Sequence, residues 1–592
     1  MKWNLDSLYK GFNSFAYKND LENLEMEISH INKKFNEDFK NLNDEKFIEF
    51  LEEIFLKYEK IYSFYDKLHN FVFLTLSTNS SNKEGIDNDL ILDDLGVKIS
   101  LINSNLSKII SSRENVLTLL YKSEILNEYK FLIEEILKES KHLLSNDLEE
   151  TMGKIYNYGA VYFSKLQESL VSKYKVEINL NGENKEIPLT ECRSLLESTC
   201  KETRRKAFES EKKLYKFMKE PLAYSINSIK KSFIYDTKKR GYDSPLSRSL
   251  DNNRISHEIL DSMISVVKES LPFFREFLKL KSKLLGNKSE RINFYDLFSP
   301  TKSLSKEINF EYGKEFLIKN FYDFSKEVGD FVKNAFENNW IDSEIYEGKV
   351  GGAFCSNINP IKESRILLNY TNSYEGIFTL AHELGHAYHG EVLKNERILN
   401  TNYPMTIAET ASIFFETLIC DKAYESLDKD EKILILEYEL NNGAQLVVDI
   451  YSRFLFEKEV FERCENEFLT PENLHEIMKK AQEDSYGDSM NPEYFKEAWI
   501  YKSHYYDFYN NFYNFPYTFG HLFSLGLYKF YLNNKEEFIP KYNMILKNSG
   551  KNNLKDLCNM CGIDITKKEF FKNSIEILKD KFEKYKSLVC EN

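Results

Sequence analysis

Five consecutive residues, His382-Glu383-Leu384-Gly385-His386, have the types and spacing that could do chemistry. On a helix, residues four apart lie one turn above each other on the same face, so His382 and His386 can aim two imidazole nitrogens at one point. A tetrahedral zinc ion takes such a pair as its first two protein ligands. Glu383 adjoins the first histidine, placed to reach a water at the metal without being a ligand itself. There it can accept a proton as that water attacks a peptide carbonyl. The bland alternative is an amphipathic helix whose two histidines are satisfied by polar neighbours. Ile377, Phe378, Leu380, Ala381, Leu384 and Ala387 argue against it, because they make the segment apolar on most sides. Burying two imidazoles and a carboxylate there is costly unless something binds them.

A catalytic zinc needs one more protein ligand. A histidine ten residues after the first is excluded, since Val392 stands there. His389 lies three residues beyond His386 and could support the site, but three ligands from one straight helix would be strained. A carboxylate from a following helix is the alternative. In Pro404-Met405-Thr406-Ile407-Ala408-Glu409-Thr410-Ala411-Ser412, Thr406 can cap and Glu409 falls in the first turns among apolar residues. The loop from His386 is long enough for the chain to turn back. Glu416, two turns further on, could orient a ligand histidine from outside the metal, or be a solvated helix carboxylate.

Elements must position these groups. Upstream lies Gly348-Lys349-Val350-Gly351-Gly352-Ala353-Phe354-Cys355, then the strand-like Arg365-Ile366-Leu367-Leu368-Asn369-Tyr370. Glycines let another backbone come close, and an extended peptide can pair with a strand edge whatever its side chains are. Gly351, Gly352 and Ala353 are therefore candidate substrate contacts; an ordinary glycine turn under a two-stranded ribbon is the alternative. Elsewhere the pattern is helical. Phe47, Phe50, Leu51, Ile54, Phe55, Tyr58, Ile61, Tyr62 and Tyr65 recur at three- and four-residue spacing, with Asn43 or Asp44 to cap them. Similar stripes run through 90–106, 115–137 and 147–174. Lys175–Leu189, with Asn181-Gly182 at its middle, reads as a β-hairpin and a boundary between lobes. Helical patterning resumes at 190–239 and 256–285, and 291–298 reads as a strand or extended segment.

At 592 residues the chain exceeds one core, so more than one lobe is expected. Only 11 prolines and 22 glycines favour long uninterrupted helices. A net charge of −14 argues against nucleic-acid or anionic-membrane partners, which need a basic face. The first residues lack a signal-peptide run and no 18-residue uncharged apolar stretch follows, so a cytoplasmic protein is expected. The eight cysteines are scattered and read as free thiols; Cys558-x-x-Cys561 has no second pair nearby to share a metal.

The stretch His382–His389 followed by Ala408-Glu409-Thr410-Ala411-Ser412 resembles the oligoendopeptidase F branch of the thimet oligopeptidase family. So do Trp3-Asn4-Leu5-Asp6-Ser7-Leu8-Tyr9, Gly351-Gly352-Ala353 and Phe512-Tyr513-Asn514-Phe515-Pro516-Tyr517-Thr518-Phe519-Gly520, so the likeness spans essentially the whole chain. It implies a mainly α-helical protein of two helical lobes flanking a deep channel, a small β-ribbon beside the zinc helix, and oligopeptides as substrates. Residues 1–190 would be the N-terminal helical lobe and 191–592 the catalytic domain. The resemblance also implies one zinc per chain on His382, His386 and Glu409, with Glu383 as the base; no oligomeric state is assigned. In the family a histidine followed by tyrosines near the C-terminus contacts substrate or steadies the oxyanion. His504 matches that histidine, with Tyr506, Tyr513 and Tyr517 as the tyrosines and His521 outside the role. Two rivals are a zinc carboxypeptidase of related helical fold and a peptide-binding protein with a vestigial site.

Overall fold

The computed structural model describes residues 1–180, 182–302 and 307–590. Helix dominates it, and strands among the described residues form one hairpin and one small sheet. Helix α1 (Asp44–Thr78) shows why. Asn43 caps it by accepting from the Lys46 N–H, and Asp44 and Glu45 sit in the first turn, where the helix dipole favours acid. Phe47, Phe50, Leu51, Ile54, Phe55, Tyr58 and Ile61 are all buried, and the stripe continues through Leu68, Phe71, Val72 and Leu74 to the end. The expected helices at 115–137 and 147–174 are each broken. Ser123 caps a new turn in the first, and Gly159 separates Asn146–Tyr158 from Ala160–Lys173 in the second. The hairpin forms as expected from β1 (Lys175–Leu180) and β2 (Glu183–Pro188), Val176 facing Ile187. Of its turn, Asn181 lies outside the described residues. Helix α2 (Lys201–Lys239) follows. Residues 291–298 hold a short helical turn, Phe294–Asp296, beside a single bridge from Ile292 to Met490, rather than a strand.

Contacts divide the chain into two compact units, each assembled from separated stretches. The first comprises Met1–His142, Lys306–Lys422 and Phe530–Ile563. The N-terminal helices therefore share a unit with the His-Glu-x-x-His segment. Its sheet has order β3-β5-β4: β3 (Ile341–Asp342) runs parallel to β5 (Glu363–Leu368), and β4 (Ala353–Ile358) antiparallel to β5. A third strand thus joins the expected two-stranded ribbon and leaves β4 at an edge. Successive residues of β4 face opposite ways. Phe354 meets the rings of Trp3 and Phe73, Ser356 bonds Asn70 of α1, and Ile358 joins the core of the N-terminal helices. Cys355 and Asn357 face the other way, toward α3 (Tyr374–Leu393).

Helix α3 starts at Ser373, whose hydroxyl accepts from the Gly376 N–H. It packs on β4 and β5 and on the helix Lys535–Asn548. A loop and the short turn Met405–Ala408 lead to Glu409, and α4 (Thr410–Ser426) begins at the next residue. Gly385 of α3 is required where the two helices meet. A Cβ there would lie 2.4 Å from the Ala411 carbonyl oxygen and 2.5 Å from the Ser412 Cα. Helix α5 (Lys535–Asn548) completes the support.

The second unit comprises Leu143–Ser305, Ala423–Lys529 and Asp564–Asn592, with α2 along it. Buried ion pairs tie its elements: Lys230 of α2 to Glu457 at 2.8 Å, and Arg204 to Asp296 at 2.7 Å.

Candidate metal centre

The first unit brings three of the expected groups to one point. Glu409 Oε2 lies 3.2 Å from His382 Nε2 and 3.3 Å from His386 Nε2. The three side chains offer ligand atoms all within 4.8 Å of one another, each partly exposed. Two atoms about 2.0–2.1 Å from a zinc ion at the tetrahedral angle lie roughly 3.3–3.4 Å apart. The donor set and its spacing therefore fit the ion. His389 is not part of the group. Its Nε2 sits 3.2 Å from the Leu546 carbonyl and 2.9 Å from the Ser549 hydroxyl. Burial holds its imidazole down to about 3, so it stays neutral there.

Neighbouring polar groups fix these side chains. His382 Nδ1 is 2.9 Å from Glu416 Oε2, so Glu416 pins the ring with Nε2 turned to the centre. Ser412 donates to Glu409 Oε2 at 2.7 Å. Burial alone would raise the Glu409 carboxyl, but hydrogen bonds from His382 and His386 carry it well below the usual range. Burial would lower His382, yet Glu409 and Glu416 push it well above its ordinary value. Glu383 is 5 % exposed, and its Oε2 is buried with no hydrogen-bond partner. Burial raises its carboxyl, with the two histidines pulling the other way. Tyr403 stacks on the His389 ring at 4.1 Å and 12°. Its hydroxyl is pushed up by burial and by the nearby Cys355 and Glu409.

Gly351 and Gly352 precede the sheet, exposed, while Asn369 Nδ2 donates to the Val350 and Gly352 carbonyls. Ala353 opens β4, so the strand edge expected at these three residues extends from Ala353 to Ile358.

The remaining candidates lie in the second unit. His504 stands in the short turn Ser503–Tyr506, its Nδ1 3.1 Å from Asn514 Oδ1. Its ring is 5.2 Å from Tyr513 and 6.4 Å from Tyr517, which meet each other at 5.6 Å. These three rings are partly exposed and form one cluster. Tyr506 differs from the expectation. It is 1 % exposed, and its hydroxyl is buried without a partner, so it packs rather than meeting a substrate. His521 is likewise buried, on the helix Phe515–Asn533.

Residues 194–577 match the profile described as Peptidase family M3, and residues 108–175 match Oligopeptidase F. The chain belongs to peptidase family M3. Its relatives include an oligoendopeptidase F homolog of Borreliella burgdorferi, 27% identical across 99% of this chain and 98% of that one. Oligopeptidase PepF of Bacillus subtilis is 26% identical over 79% of this chain and 70% of its own length. Among solved structures, oligoendopeptidase F from Enterococcus faecium has the same fold, with a TM-score of 0.71 at 20% identity over 97% of this chain and 99% of that one. A crystal structure from Chlamydophila abortus matches at a TM-score of 0.84 and 22% identity, covering 99% and 98%.

As a member of family M3 the chain is a metallopeptidase, a hydrolase of peptide bonds. Among its described residues no helix is long and apolar enough to cross a membrane. Three groups near the candidate metal centre were not singled out from the sequence: Ser412, Tyr403 and Asn357. Ser412 left a signal, three residues after Glu409 on one helix face. Tyr403 and Asn357 left none, since a loop and a strand deliver them.

Proposed function

We propose that the chain is a zinc-dependent endopeptidase acting on short oligopeptides, with one zinc held by His382, His386 and Glu409 and with Glu383 as general base. The observation that carries this reading is the convergence of His382 Nε2, His386 Nε2 and Glu409 Oε2 beside the unpartnered Oε2 of Glu383. Bound there, zinc would supply Lewis-acid polarisation of the carbonyl and of the attacking water. Glu383 accepts the water's proton as the carbonyl carbon is attacked. It then returns that proton to the amine nitrogen, so the C–N bond breaks and carboxylate and amine products leave. Glu416 keeps His382 in the tautomer that offers Nε2, and Ser412 holds the Glu409 carboxylate in place. Following the resemblance, His504, with Tyr513 and Tyr517, donates hydrogen bonds to the substrate as negative charge builds on its carbonyl oxygen. The edge of β4 pairs with the peptide main chain, a mode of binding that does not depend on particular side chains.

An internally quenched oligopeptide blocked at both ends tests the reading, with products identified by mass. Internal cleavage that a chelator abolishes and zinc restores supports it. Trimming of free C-termini without cleavage of blocked peptides would replace it with a carboxypeptidase. No hydrolysis of either, despite bound zinc, would leave a binding protein.

A further inference from the structure

We propose that Asn357 is a positioning residue that locks the edge strand β4 against the metal-binding turn of α3 and so sets which peptide bond is cut. This rests on the reading above, in which β4 pairs with the substrate and Glu383 acts on it.

Asn357 Nδ2 donates to the main-chain carbonyl of His386 at 3.1 Å. Within α3 that carbonyl is also the i−4 acceptor for the Gly390 N–H. The bond from Asn357 is thus an added cross-link rather than the repair of an unsatisfied group. The other end of the amide is held too. Oδ1 accepts from Ser364 Oγ of β5 at 2.7 Å, with the Cys355 thiol at 3.7 Å. Ser364 is the register partner of Asn357 in the sheet, so one carboxamide joins β4, β5 and α3.

Helix α3 has a vacancy that accepts this side chain. A Cβ on Gly390, one turn past His386, would lie 2.3 Å from Asn357 Oδ1 and 2.4 Å from its Cγ. A side chain there would have to displace the bonded carboxamide of Asn357, so Asn357 and Gly390 act as a pair. Ala353 and Cys355, the other residues on that face of β4, offer only a methyl and a thiol. Directional bonding from the strand to the helix therefore falls to Asn357.

The functional consequence comes from strand geometry. A peptide paired to β4 advances about 3.3 Å per residue. With β5 and the N-terminal helices holding β4 on its other sides, a strand that leaned away from α3 by only part of that rise would carry the paired peptide bond off Glu383 and bring its neighbour closer. Asn357 fixes the strand at the turn that carries His386.

The test uses the full-length, zinc-loaded chain with Asn357→Ala, Asn357→Ser, Gly390→Ala and the double variant Asn357→Ala/Gly390→Ala. Zinc content, melting temperature, kcat, KM and product masses are measured on one end-blocked peptide. Both Asn357 variants should keep one zinc, lose roughly 10- to 100-fold in kcat with KM changed much less, and cut at adjacent bonds as well as the original. Gly390→Ala should be worse than Asn357→Ala, and the double variant should recover to the Asn357→Ala level because the clash has gone. In the metal-free protein, amide exchange along Cys355–Ile358 should rise in both Asn357 variants and stay unchanged along α1. Unaltered kcat and a single cleaved bond in Asn357→Ser would overturn the proposal. So would purely additive losses in the double variant, since the two positions would then not be coupled. If wild type itself leaves the blocked peptide intact, the endopeptidase reading fails instead, and the exchange measurement still decides the lock.

Discussion

His382 uses both of its ring nitrogens. Nε2 faces Glu409 and Nδ1 faces Glu416, so the carboxylate 34 residues away decides which way the imidazole presents itself. Outer partners of this kind tune affinity rather than create it. Glu416→Ala should weaken zinc binding roughly 10- to 100-fold while leaving the fold intact. Competition with a calibrated chelator measures this, and unchanged affinity would mean that packing alone holds the ring. His382, Glu383 and His386 were legible in the sequence because helix periodicity fixes their relations on one helix, whereas Glu409 was singled out by the family resemblance and Glu416 stood beside the alternative of a solvated carboxylate. Asn357 was not legible. It reaches His386 from a strand 29 residues upstream, and only the sheet register puts it there.

At the scale of elements, the centre depends on how closely α4 approaches α3. The contact at Gly385 is with backbone, which cannot move aside without moving Glu409. Gly385→Ala should therefore cost about 1–3 kcal/mol of stability and also lower zinc occupancy. Chemical denaturation and metal analysis read the two effects, and wild-type values for both would show that the helices can part freely. The far face of β4 carries a second dependence. Ser356 bonds Asn70 of α1, whose Nδ2 donates to Asp66 Oδ1 at 3.0 Å. Burial pushes the Asp66 carboxyl up to about 7, against the pull of the Asn359 N–H and of Asn70. The folded chain thus keeps a proton that the unfolded chain releases near pH 4. That stabilisation is complete below about pH 4 and is lost as pH rises through about 7. Asp66→Asn should flatten the fall in melting temperature between pH 5 and pH 8; an unchanged slope would rule out this carboxyl as its source.

On the scale of the whole molecule, long amphipathic stripes and scarce proline announced a mainly helical protein, and the hairpin at 175–188 was readable from its alternation. The interleaving of two units was not readable, because it rests on contacts between stretches hundreds of residues apart. The grouping has a measurable consequence. All three proposed zinc ligands belong to the first unit, and an ion that binds only the folded state stabilises what holds it. Zinc should therefore slow amide exchange in α3 and α4 much more than in α2 of the second unit. Equal protection of all three helices would show that the ion's effect is not confined to the unit that binds it.

In the proposed mechanism Glu383 moves the proton while the three neighbouring side chains hold the metal. Glu383→Gln, with zinc content and turnover of a blocked peptide measured on the same preparation, tests it most directly. The variant should hold one zinc per chain and lose roughly 10²–10⁴-fold or more in kcat. A variant that keeps zinc and hydrolyses at near wild-type rate would contradict it.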